Sequence, residues 1–150
     1  MTRDEIVARG RALIGVRFRP QGRSVAVGLD CIGMAAMAMG VPIDGVRRDY
    51  WMRSNDQDEV QKELAGRAFI RIDPIGAGPG DLMLVRSGPM ALHTVILTDL
   101  GYLHADMRLR RVVEVAGSVP WSILSSWRHP DVWSLCGKPD RALTCDFGVN

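Results

Sequence analysis

Apolar residues recur with helical spacing in the first part of the chain and with strand spacing in the second. Thr2 with Glu5 three positions later has the spacing of a capping box, and Ile6, Val7, Leu13 and Ile14 give a helical stripe ending at Gly15. Residues 16–28 are basic and glycine-bearing and read as loop or irregular extended chain. A second helix is expected over Asp30–Met39, stopped by Gly40 and Pro42, with Met34, Ala35, Ala36 and Met37 as packing residues. Asp56–Gly66 predicts a third, more polar helix. From Ala68 the pattern changes. Ala68–Ile72, Leu82–Val85, Leu92–Leu97, Tyr102–His104 and Val112–Val115 read as strands, and Asp99-Leu100-Gly101 as a hairpin connection. Trp121–Trp127 predicts one more helical turn and Val132–Leu135 a final strand, while 137–150 carries no clear periodicity. Helices followed by antiparallel strands argue the α+β class. No repeat or linker divides the chain.

Composition changes this picture little. The 150 residues suit one domain with one sizeable core, and 47% hydrophobic with 24% charged residues is ordinary for a globular chain. Formal charge is only +2, so the total gives no strong polyanion signal. Seventeen of the nineteen basic residues are arginines. They include two small clusters, Arg17/Arg19/Arg23 and Arg108/Arg110/Arg111, which read as solvated faces because aromatics are only 6%. Direct nucleic-acid binding is not expected. Arg9 and Arg11 interrupt any apolar run of signal-peptide length, and no run approaches the ~20 residues of a membrane span. The expected address is cytoplasmic synthesis, with any exit by a route other than a cleaved signal.

The chemistry-bearing residues are few. Cys31 follows Asp30, a good N-cap, and so falls in a helix's first turn, where N–H groups and the dipole favour a thiolate. A buried structural cysteine is the plain alternative. His93 and His104 lie on strands that the Asp99–Gly101 turn makes neighbours. A thiol nucleophile needs a base, and the base needs an orienting partner, so Cys31, His93 and His104 can fill three roles. His129, between Arg128 and Pro130, reads as surface structure. Cys136 and Cys145 have no assigned role. No CxxC, HxxH or HExxH spacing occurs, and the glycines at 76, 78 and 80 lack a following Gly-Lys-Ser/Thr. Neither a metal nor a cofactor is expected.

The order of these motifs resembles the NlpC family of cell-wall cysteine peptidases. The matching pieces are Gly28-Leu-Asp-Cys-Ile-Gly33, Pro79-Gly-Asp-Leu-Met-Leu84, His93-Thr-Val-Ile-Leu97 and Tyr102-Leu-His-Ala105. Gly15-Val-Arg-Phe-Arg-Pro-Gln21, Arg111-Val-Val-Glu-Val115 and Pro120-Trp121 resemble the phage-tail and gene-transfer-agent branch. The resemblance implies a compact papain-like fold over residues 1–136, helices packed on an antiparallel sheet, with 137–150 as a C-terminal tail. It implies that Cys31 attacks an amide in a peptidoglycan stem peptide, typically between D-glutamate and a diamino acid. His93 would be the base, His104 its orienting partner, and the Cys31 N–H an oxyanion donor. Asp30 would help receive a substrate amine. Phe18 stands where family members often carry Tyr facing the site, and Ile32 where they often carry Ser. The implied setting is a tail-tip hydrolase aiding DNA delivery, carried in a virion or tail-like particle among tail-tip or baseplate partners. The alternative those two replacements suggest is a weak or inactive NlpC-like structural or binding component of a tail tip.

Overall fold

The computed structural model describes residues 1–45 and 56–136. Helix α1 (Arg3–Arg11) carries the capping box, with Glu5 N–H donating to Thr2 Oγ1 and Thr2 N–H to Glu5 Oε2. Two short strands, β1 (Arg23–Ser24) and β2 (Gly28–Leu29), pair antiparallel ahead of helix α2 (Cys31–Ala38). Helix α3 (Gln57–Gly66) follows, capped by Asp56. Then come β3 (Ile70–Ile72), β4 (Leu82–Gly88), β5 (Ala91–Leu97), β6 (Gly101–Asp106), β7 (Arg111–Ala116), β8 (Ser122–Arg128) and helix α4 (Pro130–Cys136). The larger strands form one antiparallel sheet in the order β3-β8-β4-β5-β6-β7. The α+β class and the arrangement of helices on an antiparallel sheet are as expected.

Two elements differ from the sequence reading. Residues 121–127 do not make a helical turn: most of them form β8, which sits between β3 and β4. β4 pairs along Ser122–Trp127 and β3 with Ser126–Arg128, and the buried Ser125 accepts from Trp127 Nε1 at 2.8 Å. Partners on both edges outweigh a weak local preference. Residues 132–135 belong to α4, not to a strand. Pro130 opens this helix, the position where a missing N–H costs nothing, and Asp131 N–H donates to His129 Nδ1. Val132 is 3% exposed and joins the main core. His129 is half-buried, with its ring edge-on to Phe69, rather than a simple surface residue. The expected tail, 137–150, lies outside the described residues.

The sheet separates two apolar layers. On one face, Ile96, Leu103, Ala105 and Leu82 pack against Ile6, Met34, Ala38 and Cys31 from the helices. The other carries a smaller cluster of Met83, Val85, Val95 and Tyr102. A buried charge junction holds the rim of the helix face. Asp81 is fully buried and accepts from Arg128 Nε and Nη2 (3.0 and 2.8 Å), Arg3 Nη1 (3.1 Å) and Gly78 N–H (2.9 Å). Gly80, at φ +84°, gives the room: a Cβ there would meet the Arg3 backbone at 3.0 Å.

Candidate active site

The local sequence places Cys31 at the start of α2 for clear reasons. Asp30 has extended backbone, and its Oδ1 accepts from Gly33 N–H at 2.8 Å, a side-chain N-cap. A Cβ on Gly33 would come 2.2 Å from the Gly22 carbonyl, so the glycine two positions after the cysteine lets the preceding turn dock on the helix. Asp30 also pairs with Arg23 Nη1 at 2.6 Å, and both side chains are buried. Here Asp30 caps the helix and holds Arg23. It does not lie open to a substrate amine. Phe18, half-buried, packs on the main core and forms a bridge with Leu29, two residues before the cysteine. Ile32 lines an apolar hollow with Ala36, Met39, Leu64, Phe69 and Thr94, and so acts as a packing residue.

The structure brings the two histidines together. The β5–β6 ladder pairs only Ile96 with Leu103 and Leu97 with Tyr102, and both histidines lie beyond its last rung. Alternation puts them on one face, where His93 Nε2 and His104 Nδ1 are 2.9 Å apart. Trp121 stacks edge-on against both rings, with centroids 5.4 Å from each, and Tyr102 adds a third neighbour. Asp106 Oδ2 stands 3.7 Å from His104 Nε2. Its Oδ1 accepts the N–H groups of Arg108 and Leu109, which fixes the carboxylate in a turn.

The sequence reading did not single out Asp106 or assign Trp121 a place in the site. The usable signals were the His-x-Asp alternation, which puts 104 and 106 on one strand face, and the Pro-Trp pair.

Cys31 stands across β5 from this group. It is 2% exposed, and its carbonyl accepts from the Thr94 hydroxyl at 3.1 Å. The Thr94 N–H and hydroxyl also reach its sulfur. No hydrogen bond joins the thiol to His93 in this arrangement. Thr94 faces the helices, and His93, one position earlier, faces the opposite layer.

Burial dominates the electrostatics. It pushes the Cys31 thiol up to about 11, with the Asp30 charge adding to the effect, while the Thr94 hydrogen bonds and Arg23 oppose it. Burial and then His104 push His93 down to about 3, with Asp106 opposing. Burial also lowers His104, again against Asp106. At neutral pH the resting state is a neutral thiol and two neutral imidazoles.

The tautomers follow from the geometry. The carboxylate favours a proton on the His104 nitrogen facing it, Nε2, which leaves His104 Nδ1 as an acceptor. His93 then donates from Nε2, and its Nδ1 keeps the lone pair a base needs.

The His93 shift has a consequence for stability. An unfolded chain protonates this ring near 6.5 and the folded one only near 3, so between these values the unfolded state holds the extra proton. Stability contributed by the neutral buried ring is complete above pH 6.5. It is lost as pH falls toward 3, by up to roughly 1.4 kcal/mol per unit. Urea unfolding at pH 7 and pH 5 checks this: the fall in stability should be smaller in His93→Gln than in the parent.

Sequence comparison finds no matching family model and no matching curated protein. Solved structures do match. The NlpC/p60 domain of the peptidoglycan hydrolase SagA aligns at TM-score 0.53 and 22% identity, covering 77% of this chain and 90% of that one. This is an NlpC/p60 fold. The P60 domain of a Mycobacterium avium subspecies paratuberculosis antigen aligns at TM-score 0.56 and 21% identity, over 85% of this chain and 93% of that domain. An NlpC/p60 family protein from Bacillus cereus reaches TM-score 0.60 at 19% identity, and the alignment spans 40% of that longer chain. Among the described residues of this NlpC/p60-like chain, no helix is long and apolar enough to cross a membrane, and no cluster of His, Cys, Asp and Glu is grouped to hold a metal ion.

Proposed function

We propose that this chain is a cysteine peptidase that hydrolyses amide bonds in peptidoglycan stem peptides. The supporting observation is the His93–His104–Asp106 chain with a helix-start cysteine across β5 from it, in a fold shared with a protein described as a peptidoglycan hydrolase. In the proposed reaction the thiol, which rests on the helix side of β5, is brought to His93 when substrate binds, and His93 takes its proton at Nδ1. The sulfur attacks the amide carbon, and His93 returns the proton to the leaving amine. Water then hydrolyses the thioester. The Cys31 N–H, at the start of α2, would donate to the developing oxyanion. His104 and Asp106 keep His93 in the productive tautomer. Incubation with muropeptides tests the reading. Wild-type protein should release cleaved stem peptides and Cys31→Ala should not; no cleavage by wild type, or equal cleavage by both, would sink it.

We further propose delivery by a phage-like tail tip, to aid DNA entry, with tail-tip or baseplate proteins as partners and a virion or tail-like particle as the address. Its support is the resemblance of residues 15–21, 111–115 and 120–121 to that branch. A second reading, a weak or inactive tail-tip component, is favoured by one observation: Cys31 is 2% exposed and lies across β5 from His93 with no hydrogen bond between them, and burial raises the thiol and lowers the base. Proton transfer between them is uphill in the resting arrangement. Under that reading muropeptides bind without being cleaved.

A further inference from the structure

The two arginine clusters, separate in sequence, meet in the fold. Arg17 and Arg111 are antiparallel bridge partners, and Phe18 N–H donates to the Arg110 carbonyl at 2.9 Å. Arg17, Arg19, Arg108, Arg110 and Arg111 are all exposed, and among the described residues none forms an ion pair. Asp106 is the nearest acid to the turn. It acts electrostatically on Arg108, but its carboxylate is occupied by the turn's N–H groups and by His104. Like charges directly opposite on paired chain segments are destabilising, and an L-residue held at φ +60°, as Arg110 is, adds a further cost. Such local conflicts concentrate at functional sites.

The position of this edge points to its ligand. Residues 17–19 run beside Leu29, with Leu29 N–H donating to the Arg17 carbonyl and Arg19 N–H to the Leu29 carbonyl, two residues before Cys31. Arg111 pairs with Asp106 across β6–β7, and Arg108 and Arg110 lie in the turn between them. Both halves therefore border the candidate site. Arginine's planar fork matches a carboxylate with two parallel hydrogen bonds. We infer that this arginine edge binds the free carboxylates of the peptide flanking the scissile amide, and so selects acidic over amidated stem peptides. Met107 and Leu109, 64% and 50% exposed, alternate with the arginines and would cover the aliphatic stretches of such a peptide.

The inference rests on the peptidase reading but is tested apart from it. Two synthetic stem tetrapeptides, identical except that the glutamate α-carboxyl is free or amidated, are titrated calorimetrically into Cys31→Ala protein. The acidic peptide should bind roughly tenfold tighter, the worth of two modest surface contacts. In Cys31→Ala carrying Arg17→Gln and Arg111→Gln, the preference should shrink below twofold. If that variant misfolds, Arg108→Gln/Arg110→Gln provides the same reading. Equal affinity for both peptides, or a preference that survives neutralisation, overturns the inference. Duplex DNA is a third probe: arginine-dependent DNA binding without peptide discrimination also overturns it, in favour of a nucleic-acid surface. If wild type cleaves neither peptide while the binding preference stands, the peptidase reading fails and this one holds.

Discussion

Replacing His93 with alanine lowers muropeptide turnover about 10²- to 10⁴-fold, the usual worth of a positioned general acid–base. The expectation rests on the tautomer argument. His93 is the ring whose free Nδ1 can serve the thiol, because its Nε2 meets His104 at 2.9 Å. Asp106→Ala acts one step further away and costs less, about tenfold, because His104 remains but its proton is no longer confined to Nε2. Alkylation of Cys31 gives a second readout. Iodoacetamide should react slowly at pH 7, with a rate that climbs toward the thiol's ionisation at about 11. A rate already level below pH 6 would show a preformed thiolate and contradict the neutral pair. A purely structural role for His93 would lower turnover only in proportion to the fraction unfolded at the assay pH, so turnover and urea unfolding are measured on the same variant at that pH.

The second large effect concerns stability. Asp81→Asn keeps the side chain's shape but removes the charge opposing Arg3 and Arg128. Breaking a buried pair from one side leaves an uncompensated charge and typically costs about 3–5 kcal/mol. Denaturant unfolding should show a lower midpoint with little change in slope. Replacing exposed Arg71, which forms no ion pair among the described residues, should change the midpoint far less. An Asp81→Asn loss below about 1 kcal/mol would mean that solvent reaches the junction and screens the arginines.

The local frame of the candidate site was legible because it is written in local signals. The Asp30 cap, the cysteine after it and the hairpin between two histidines each depend on a few adjacent residues, and the structure has the elements where those signals put them. What was not legible depends on distant partners. Ser122–Arg128 is serine-rich and short, and becomes a strand because β3 and β4 flank it. The inward turn of Asp30 depends on Arg23, and the union of the arginine clusters depends on a bridge between positions 17 and 111. Neither has a periodic signature. The helix at 130–136 is different: Pro130 and Asp131 are a recognisable start signal, outweighed in the reading by the apolar residues that follow.

The Asp81 junction also bears on how fast the molecule forms and comes apart. It ties together positions 3, 81 and 128, with partners 78 and 47 residues apart along the chain. Contacts that close such long loops are entropically costly early in folding and tend to form after the transition state. Their loss then falls mainly on the unfolding rate. The buried carboxylate would act as a late latch, prolonging the lifetime of the native state without hastening its arrival.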